Sequence, residues 1–281
     1  MKIMSNAKEA VQDTIGIGIT KANKKWYKTI LFGILAGIFV AIGAQASNFA
    51  VHGIKDVGIA KTVAGLVFPI GLIMIVFIGG ELFTGNCLLI MAALDKKIRA
   101  RRMVKNLCLV FLGNLIGAVF IAALISGSGQ LDTSHGLLGA YTIKAAVAKI
   151  GISPMRAFIS GILCNIIVCA AIYMGTIAKD VMGKTFLLFY AIFVFVISSF
   201  EHCVANMYYF GAGMMAAKNP EYVALAIEHY GVSSEKIDAL NIANSLNNII
   251  PVTLGNAVGG ILIIGAFIYY LNHEKSNIIV K

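Results

Sequence analysis

The chain has 281 residues, of which 59% are hydrophobic and only 13% are charged, against roughly 25% charged in a typical soluble domain. This composition excludes an ordinary soluble protein and indicates an integral membrane protein in a lipid bilayer. The formal charge of +10 does not indicate a nucleic-acid partner, because the basic residues concentrate in the segments between apolar runs and no nucleic-acid motif accompanies them.

The N-terminal segment, residues 1–28, precedes the first long apolar run and is predicted to be cytoplasmic. Within it, apolar residues recur at helical spacing at Ala7, Val11, Ile15 and Ile19. This stripe predicts an amphipathic helix that lies against the inner face of the membrane or packs on a neighbouring element.

Six apolar runs follow, each long enough to cross a bilayer, which takes about 20 residues. They lie near 29–51, 63–94, 107–127, 156–178, 185–217 and 249–271. Together they predict a transmembrane channel domain over 29–271, followed by a cytoplasmic C-terminal tail over 272–281. Most of the 23 Lys and Arg residues fall on one side of this arrangement, so the positive-inside rule places both termini in the cytoplasm. We expect a multi-pass protein of a bacterial inner (cytoplasmic) membrane.

The second and fifth runs each carry a polar patch near mid-length. GGELFTGN (79–86) and SFEHCVAN (199–206) both place an Asn five residues after a Glu. Each run covers about 32 residues, more than one crossing needs, so we predict that helices 2 and 5 are broken at these patches. The residues predicted to hold the backbone at the breaks, with the carboxylates accepting from freed amides, are Glu81, Asn86, Glu201 and Asn206.

The third and sixth runs share a second motif. LGNLIGA contains Asn114 and LGNAVGG contains Asn256, and both asparagines are predicted to hold the backbone of the broken helices. Because the motifs recur in the same order, we predict two three-helix repeats, over 29–127 and 156–271. An odd number of helices in each repeat makes the second inverted relative to the first, as in many transport folds.

His202 lies inside the second break and is the one histidine in any predicted span. Leu82 takes its place in the first break, so it has no repeat partner. A lone histidine on an apolar face is usually a satisfied core residue, but imidazole titrates near physiological pH and ionisable groups at membrane depth commonly mark a pathway. We therefore predict that His202 can exchange a proton with a passing solute.

No catalytic centre is indicated. The five cysteines lie in predicted spans without a CxxC pair or a histidine cluster at metal spacing, so we expect apolar packing, no metal and no cofactor. A nucleophile–base pair at membrane depth is also missing from the sequence. We predict that the protein is not an enzyme.

Four stretches, in the right order, resemble motifs of the formate/nitrite transporter family, including its hydrosulfide channel branch. They are IGGELFTG, GILCNIIVCAA, FEHCVANMY and IPVTLGN, which begin at residues 78, 161, 200 and 250. One departure is Ala170, where Leu or Val is more usual. The resemblance covers about 25–272 and implies an all-α, aquaporin-like fold of six transmembrane helices, assembled as a homopentamer with one pore in each protomer.

The resemblance also implies the residues of the pore. Those that would bind the anion and relay a proton are His202, Thr84, Asn165 and Lys149. Those that would form two hydrophobic constrictions are Phe68 and Leu72 on the outer side, and Leu82 and Phe195 on the inner side. Such a set of apolar side chains facing a pore would exclude hydrated ions.

The implied function is a channel or transporter for a small monovalent anion: hydrosulfide, nitrite or formate, with hydrosulfide expected ahead of the others. Two mechanisms stay open. Either His202 hands the anion a proton, so that a neutral acid crosses the next constriction at lower cost, or it donates a hydrogen bond and the anion passes as such. The alternative function is a neutral small-solute channel of the aquaporin type, although the paired Asn-Pro-Ala boxes are absent from the sequence.

Overall fold

The structure, a computed structural model, describes residues 4–272, and within that range its regular elements are helices, without a β-strand. The α-helices are α1 (Ala7–Ala22), α2 (Trp26–Val51), α3 (Val57–Val67), α4 (Ile70–Met74), α5 (Phe83–Asn86), α6 (Leu89–Leu94), α7 (Ala100–Gly127), α8 (Leu137–Ile150), α9 (Pro154–Ile177), α10 (Val181–Ile197), α11 (Cys203–Ala216), α12 (Pro220–Tyr230), α13 (Ser234–Asp238), α14 (Ile242–Ala257) and α15 (Phe267–Asn272). Two π-helical segments, Ile75–Gly79 and Val258–Ala266, and a 3₁₀ turn, Gln130–Asp132, complete the set. The predicted tail lies outside the described residues beyond Asn272.

Several of these helices are apolar enough and long enough to cross a membrane. Within residues 4–272 they are the stretches Trp26–Val51, Val57–Gly79, Ala100–Gly127, Pro154–Ile177 and Ile242–Asn272. Two shorter apolar helical stretches, Phe83–Leu94 and Val181–Ile197, accompany them. The prediction of an all-helical, multi-pass membrane protein is therefore confirmed.

The second and fifth predicted spans are interrupted where the polar patches lie. The first of these ends at Gly79, whose φ of +104° is open to glycine but strained for other residues. Extended backbone follows through Leu82, and α5 begins at Phe83. In the fifth span α10 ends at Ile197, and α11 begins at Cys203 after an extended His202.

Close helix crossings bring the third and sixth predicted spans against these breaks. A Cβ added to Gly37 on α2 would lie 2.2 Å from the Asn114 carbonyl oxygen on α7. A Cβ added to Gly255 on α14 would lie 2.1 Å from the Phe158 carbonyl oxygen on α9. Only glycine permits these approaches, as at small-residue crossings of membrane helices. The crossings place Asn114 and Asn256 within reach of the two breaks.

The N-terminal helix α1 packs on the bundle against α6 and α9. Its N-terminus carries a capping box between Asn6 and Glu9, and its buried stripe includes Val11 and Ile15. Ala7, which belonged to the predicted stripe, is exposed. Of the two placements predicted for this segment, packing on a neighbouring element is the one that the structure shows.

Candidate functional site

The two helix breaks meet through a side-chain hydrogen bond. Thr84 Oγ1 lies 2.9 Å from His202 Nε2, and both residues are buried. His202 is also the N-cap of α11, where its Nδ1 accepts from the Ala205 backbone N–H at 3.2 Å. Because Nδ1 accepts, the ring proton resides on Nε2 and is donated to Thr84. Thr84, which accepts that bond, retains its own hydroxyl hydrogen to donate.

Asn165 ties this pair to the backbone on both sides. Its Nδ2 donates to the Thr84 carbonyl oxygen at 3.3 Å and to the Asn256 carbonyl oxygen at 2.6 Å. Cys169 Sγ lies 3.2 Å from the same Thr84 carbonyl. Since both amide hydrogens of Asn165 go to carbonyls, its part here is to position Thr84. Direct contact between Asn165 and an anion stays a prediction.

Aromatic rings adjoin the Thr84–His202 pair on one side. The Phe195 ring lies 6.0 Å from the His202 ring and 5.8 Å from the Phe68 ring, centroid to centroid. These three residues line one cavity of about 410 Å³, which also reaches α8 and is called here the α8-side cavity. Phe195, which was predicted to pair with Leu82, thus contacts Phe68.

A second cavity, of about 680 Å³, lies between α1 and the first break and is called here the α1-side cavity. Leu82 lines it, and Leu72 is buried with 5% of its surface exposed. All four residues predicted to form constrictions are therefore buried, with Phe68 and Phe195 on one cavity and Leu82 on the other. Their division into an outer and an inner constriction stays a prediction.

Glu81 is the centre of a polar cluster on the α1 side. Its carboxylate accepts from Lys24 Nζ at 2.6 Å and from Asn86 Nδ2 at 2.6 Å, and Lys21 Nζ lies 3.3 Å away. Lys21 Nζ also donates to Asn86 Oδ1 at 2.6 Å. Asn106 completes the α1-side cluster: its Oδ1 accepts from Asn86 at 2.8 Å. Every polar atom of the Asn86 side chain is thus paired.

Glu201 is the centre of a similar cluster on the α8 side. Its carboxylate accepts from Lys149 Nζ at 2.8 Å and from Asn206 Nδ2 at 2.6 Å. Asn206 Nδ2 also donates to Asn248 Oδ1 at 2.8 Å. Asn248 Nδ2 in turn donates to the Lys149 carbonyl oxygen at 2.9 Å. In this α8-side cluster the predicted Lys149 is held directly beside the second break.

The first break is closed by Asn114. Its Oδ1 accepts from the Phe83 backbone N–H at 3.0 Å, which is the first amide of α5. Its Nδ2 donates to the carbonyl oxygens of Gly33 at 2.8 Å and Glu81 at 2.9 Å. One buried amide therefore satisfies a donor and an acceptor at the break, the Phe83 N–H and the Glu81 carbonyl, and links them to Gly33 within α2.

Asn256 makes the same three contacts at the second break. Its Oδ1 accepts from the Cys203 N–H at 3.0 Å. Its Nδ2 donates to the carbonyl oxygens of Gly161 at 2.8 Å and Glu201 at 3.0 Å. The predicted role of Asn114 and Asn256 is confirmed by these bonds.

The two glutamates differ from the prediction in their partners. We expected their carboxylates to accept from freed backbone amides, but the carboxylates accept from lysine and asparagine side chains, while Asn114 and Asn256 serve the backbone. The reason is that the first amides of α5 and α11, at Phe83 and Cys203, already have an asparagine acceptor.

Lys21, Lys24, Asn106 and Asn248 were not identified from the sequence as site residues. The positive-inside rule already accounted for lysines in this cytoplasmic segment, so nothing in the sequence indicated that two of them contact Glu81. The one available signal was the placement of Asn106 and Asn248 at the ends of apolar runs, where an amide needs a buried partner.

Both cavities are lined by more basic than acidic residues. The described residues that line the α8-side cavity include the lysines at 55, 61, 144 and 149 beside one acid, Glu201. The α1-side cavity has lysines at 21, 24, 179 and 184 beside Asp13 and Glu81. Such surfaces favour the approach of anions. Among residues 4–272 no group of three His, Cys, Asp or Glu side chains could hold a metal ion.

Comparison with known proteins decides the family. The family model described as formate/nitrite transporter matches residues 8–270. The chain belongs to the formate/nitrite transporter family. The all-helical fold and the membership in a family of channels and transporters rather than enzymes agree with the predictions made from the sequence.

Several relatives of this family are similar over most of their length. The formate channel FocA of Haemophilus influenzae is 40% identical over 257 residues, which is 89% of each chain. FocA of Escherichia coli strain K12 is 33% identical over 92% of this chain and 91% of its own. The probable formate transporter of Methanothermobacter thermautotrophicus is 32% identical.

Solved structures of the family have the same fold. A pentameric formate channel with formate bound superposes with a TM-score of 0.77 at 32% identity, covering 88% of this chain and 96% of its own. A second structure, described as an FNT family ion channel, gives a TM-score of 0.75 at 27% identity and covers 94% of this chain.

Proposed function

We propose that this formate/nitrite transporter conducts small monovalent anions of weak acids across a bacterial cytoplasmic membrane, with formate as its first substrate. The formate channels among its relatives support formate over the hydrosulfide expected from the sequence, which stays a prediction. The observation that carries the proposal is the buried Thr84–His202 hydrogen bond, placed between two lysine-lined cavities.

An anion approaching this site is first drawn into a lysine-lined cavity. Beyond it lie the Phe68 and Phe195 rings, where hydrated ions are excluded because the apolar walls offer no replacement for lost water. In this proposal the Thr84 hydroxyl, whose oxygen accepts from His202, donates its own hydrogen to the dehydrated solute. His202 thus strengthens Thr84 as a donor, since linked hydrogen bonds polarise one another.

We propose hydrogen-bond donation rather than proton donation by His202. Its Nδ1 accepts from the Ala205 N–H, and its Nε2 proton goes to Thr84. A second ring proton would sit on Nδ1 and would cost α11 its N-cap, and a neutral imidazole is too weak an acid to protonate formate. This choice between the two mechanisms that the sequence leaves open is our proposal.

The test is stopped-flow uptake of formate into proteoliposomes at two pH values. His202→Asn offers a cap acceptor of similar kind, whereas His202→Ala and Thr84→Val remove one partner of the pair. We expect Thr84→Val and His202→Ala each to lower formate flux by about a hundredfold, the size of one hydrogen bond to a charged solute. His202→Asn should lower it by no more than about tenfold. Wild-type flux no greater than that of empty vesicles would contradict the anion-channel function, and flux of a neutral solute alone would favour the aquaporin-type alternative. Complete loss in His202→Asn, with loss of the pH dependence, would favour proton donation.

We further infer that the chain forms a homopentamer with a pore in each protomer, with both termini in the cytoplasm so that the α1-side cavity faces inward. The pentameric relative supports the assembly, and the excess of basic residues on one side supports the orientation. Native mass spectrometry of the detergent-solubilised protein tests the first, and cysteine labelling near Lys8 from either side of the membrane tests the second.

The matched contacts of the two glutamate clusters and of Asn114 and Asn256 support an inverted repeat. We propose that α1 and α8 also belong to it, because the lysine near the end of each helix reaches the carboxylate of the following break. The repeats would then begin earlier than the sequence predicted. An experimental structure that superposes residues 7–127 on 137–272 through a twofold axis in the membrane plane would establish this relation.

A further inference from the structure

Two half-buried tyrosines differ from the others in having hydroxyls without a hydrogen-bond partner within residues 4–272. The ten tyrosines all lie in that range, and three of them are exposed while seven are buried or half-buried. Five of those seven donate a hydrogen bond to a protein oxygen, namely Tyr173, Tyr208, Tyr222, Tyr230 and Tyr269. In the same part of the chain Tyr141 and Tyr209 make contacts through their rings only.

The hydroxyls of Tyr141 and Tyr209 are open to the α8-side cavity, which both residues line. The sealed side-chain atoms that lack a partner within residues 4–272 belong to Asn48, Ser126 and Asn206. An unpaired tyrosine hydroxyl outside that group is therefore reached by solvent. A phenol hydroxyl in such a position donates to water or to a solute. The cavity thus offers two neutral donors that the described protein groups leave unused.

One face of α8 carries Tyr141 into this cavity. The α8 residues that line it are 141, 144, 145, 148 and 149, which is the spacing of a single helix face. Two of these are the small Ala145 and Ala148, which leave room for a solute beside the tyrosine. Tyr209 comes from α11, which packs against α8. The two helices therefore bring both hydroxyls to one cavity of about 410 Å³.

A lysine ammonium group lies over each of these tyrosine rings. Lys144 Nζ lies 5.3 Å from the centroid of the Tyr141 ring, and Lys149 Nζ lies 5.1 Å from that of the Tyr209 ring. Such cation–π contacts hold the rings in place. Lys149 is neutralised by Glu201, whereas Lys144 has no carboxylate partner within residues 4–272. The charge of Lys144 is therefore available to attract an anion from solution.

Small anions differ in the hydrogen bonds that they can accept. Formate and nitrite each have two oxygen atoms, and an ionised oxygen accepts short, strong hydrogen bonds from O–H donors. Hydrosulfide has a single sulfur atom, and sulfur is a weak acceptor. Two hydroxyl donors in one cavity therefore stabilise a bound two-oxygen anion more than they stabilise hydrosulfide. An ammonium group, in contrast, attracts both kinds of anion through its charge.

We propose that the Tyr141 and Tyr209 hydroxyls form a binding subsite in the α8-side cavity that selects two-oxygen anions over hydrosulfide. Lys144 draws either kind of anion toward this subsite, and the hydroxyls donate to the oxygen atoms of formate or nitrite. The anion stays ionised there and moves on toward His202, which lines the same cavity. This inference rests on the proposed function and adds to it the class of anion that the cavity captures.

Tyr141→Phe and Tyr209→Phe test the inference, because each removes one hydroxyl and keeps the ring. Each should raise the formate concentration for half-maximal uptake into proteoliposomes by about tenfold, the low end for a hydrogen bond to a charged solute. Maximal flux should be unchanged, because the Thr84–His202 pair is intact. Hydrosulfide is then added as a competitor, with formate well below half-saturation and in an alkaline buffer that keeps both solutes ionised. The hydrosulfide concentration that halves formate uptake should stay at its wild-type value.

Tyr190→Phe is the matched control, since Tyr190 is exposed on α10 and lines neither cavity, and its half-saturation should equal that of wild type. Half-saturation does not depend on the amount of folded protein, so partial misfolding cannot imitate the expected result. An unchanged formate half-saturation in both Tyr141→Phe and Tyr209→Phe would overturn the inference, as would an equal rise in Tyr190→Phe. An equal loss of affinity for hydrosulfide would also overturn it, because the hydroxyls would then not discriminate. Wild-type protein without formate flux would instead overturn the proposed function, a result that does not depend on any variant.

Discussion

The α1-side and α8-side clusters use the same residues in the same roles, yet their balance of charge differs. Each has a buried glutamate, an asparagine five residues later and a second asparagine on a neighbouring helix. On the α1 side two lysines from the N-terminal segment complete the pairing. On the α8 side a single lysine among the described residues pairs with the glutamate. The α1-side cluster is thus fully paired at Asn86, whereas the α8-side cluster keeps one buried acceptor without a partner among residues 4–272.

A comparison of Asn114 with Asn256 tests whether the two breaks are held in the same way. Truncating either asparagine to Ala removes three buried hydrogen bonds. We expect each variant to lose at least about 3 kcal/mol in the free energy of unfolding. Thermal denaturation of the detergent-solubilised protein measures this loss. Exposed Asn247→Ala should change little. A large loss at one site and a negligible loss at the other would show that the breaks differ in construction.

Glu81 pairs with two lysines and Glu201 with one, so removing a lysine should affect the two clusters unequally. Lys149→Ala leaves Glu201 buried without its lysine, whereas Lys24→Ala leaves Glu81 with Lys21. We expect Lys149→Ala to cost about 3 kcal/mol of stability and Lys24→Ala about 1 kcal/mol, measured by the same thermal denaturation. Adding Glu201→Gln to Lys149→Ala should recover much of the loss, because it removes the unpaired charge. Equal effects of the two lysine variants would mean that the clusters are equivalent.

The smallest effect is expected at the surface of α1. Lys179 Nζ lies 2.6 Å from the Asp13 carboxylate, with 39% and 45% of the two side chains exposed. Such a pair contributes about 0.5 kcal/mol or less, so Lys179→Gln should hardly change the melting temperature. A clear loss of stability would indicate that this ion pair, rather than the buried face with Val11 and Ile15, holds α1 on the bundle.

Much of the fold could be predicted from the sequence because membranes impose simple rules. Apolar runs of about 20 residues have few alternatives to spanning helices, and the Glu-to-Asn patches predicted where two of them break. Asn114 and Asn256 were assigned correctly because an amide in an apolar run must satisfy backbone groups nearby. The family followed from four motifs in order, since such a combination is specific.

The partners of the glutamates needed the tertiary structure. Lys21 and Lys24 are separated from Glu81 by about 60 residues in the sequence, and a lysine in a polar segment looks the same whether it faces water or reaches a buried carboxylate. The contact exists because α1 folds back onto α6 and α9. The same holds for Phe195, whose contact with Phe68 depends on how α10 packs against α3 and α4.

The sequence by itself therefore determined the membrane class, the positions of the breaks and the family, because periodicity, length and local motifs encode them. The tertiary structure alone decided which charges meet, that His202 caps α11 while it bonds to Thr84, and that Asn206 keeps one unpaired oxygen. These features depend on distances of a few ångströms between segments far apart in the chain. Hydrogen bonds and ion pairs change at that scale, whereas hydrophobic patterning does not.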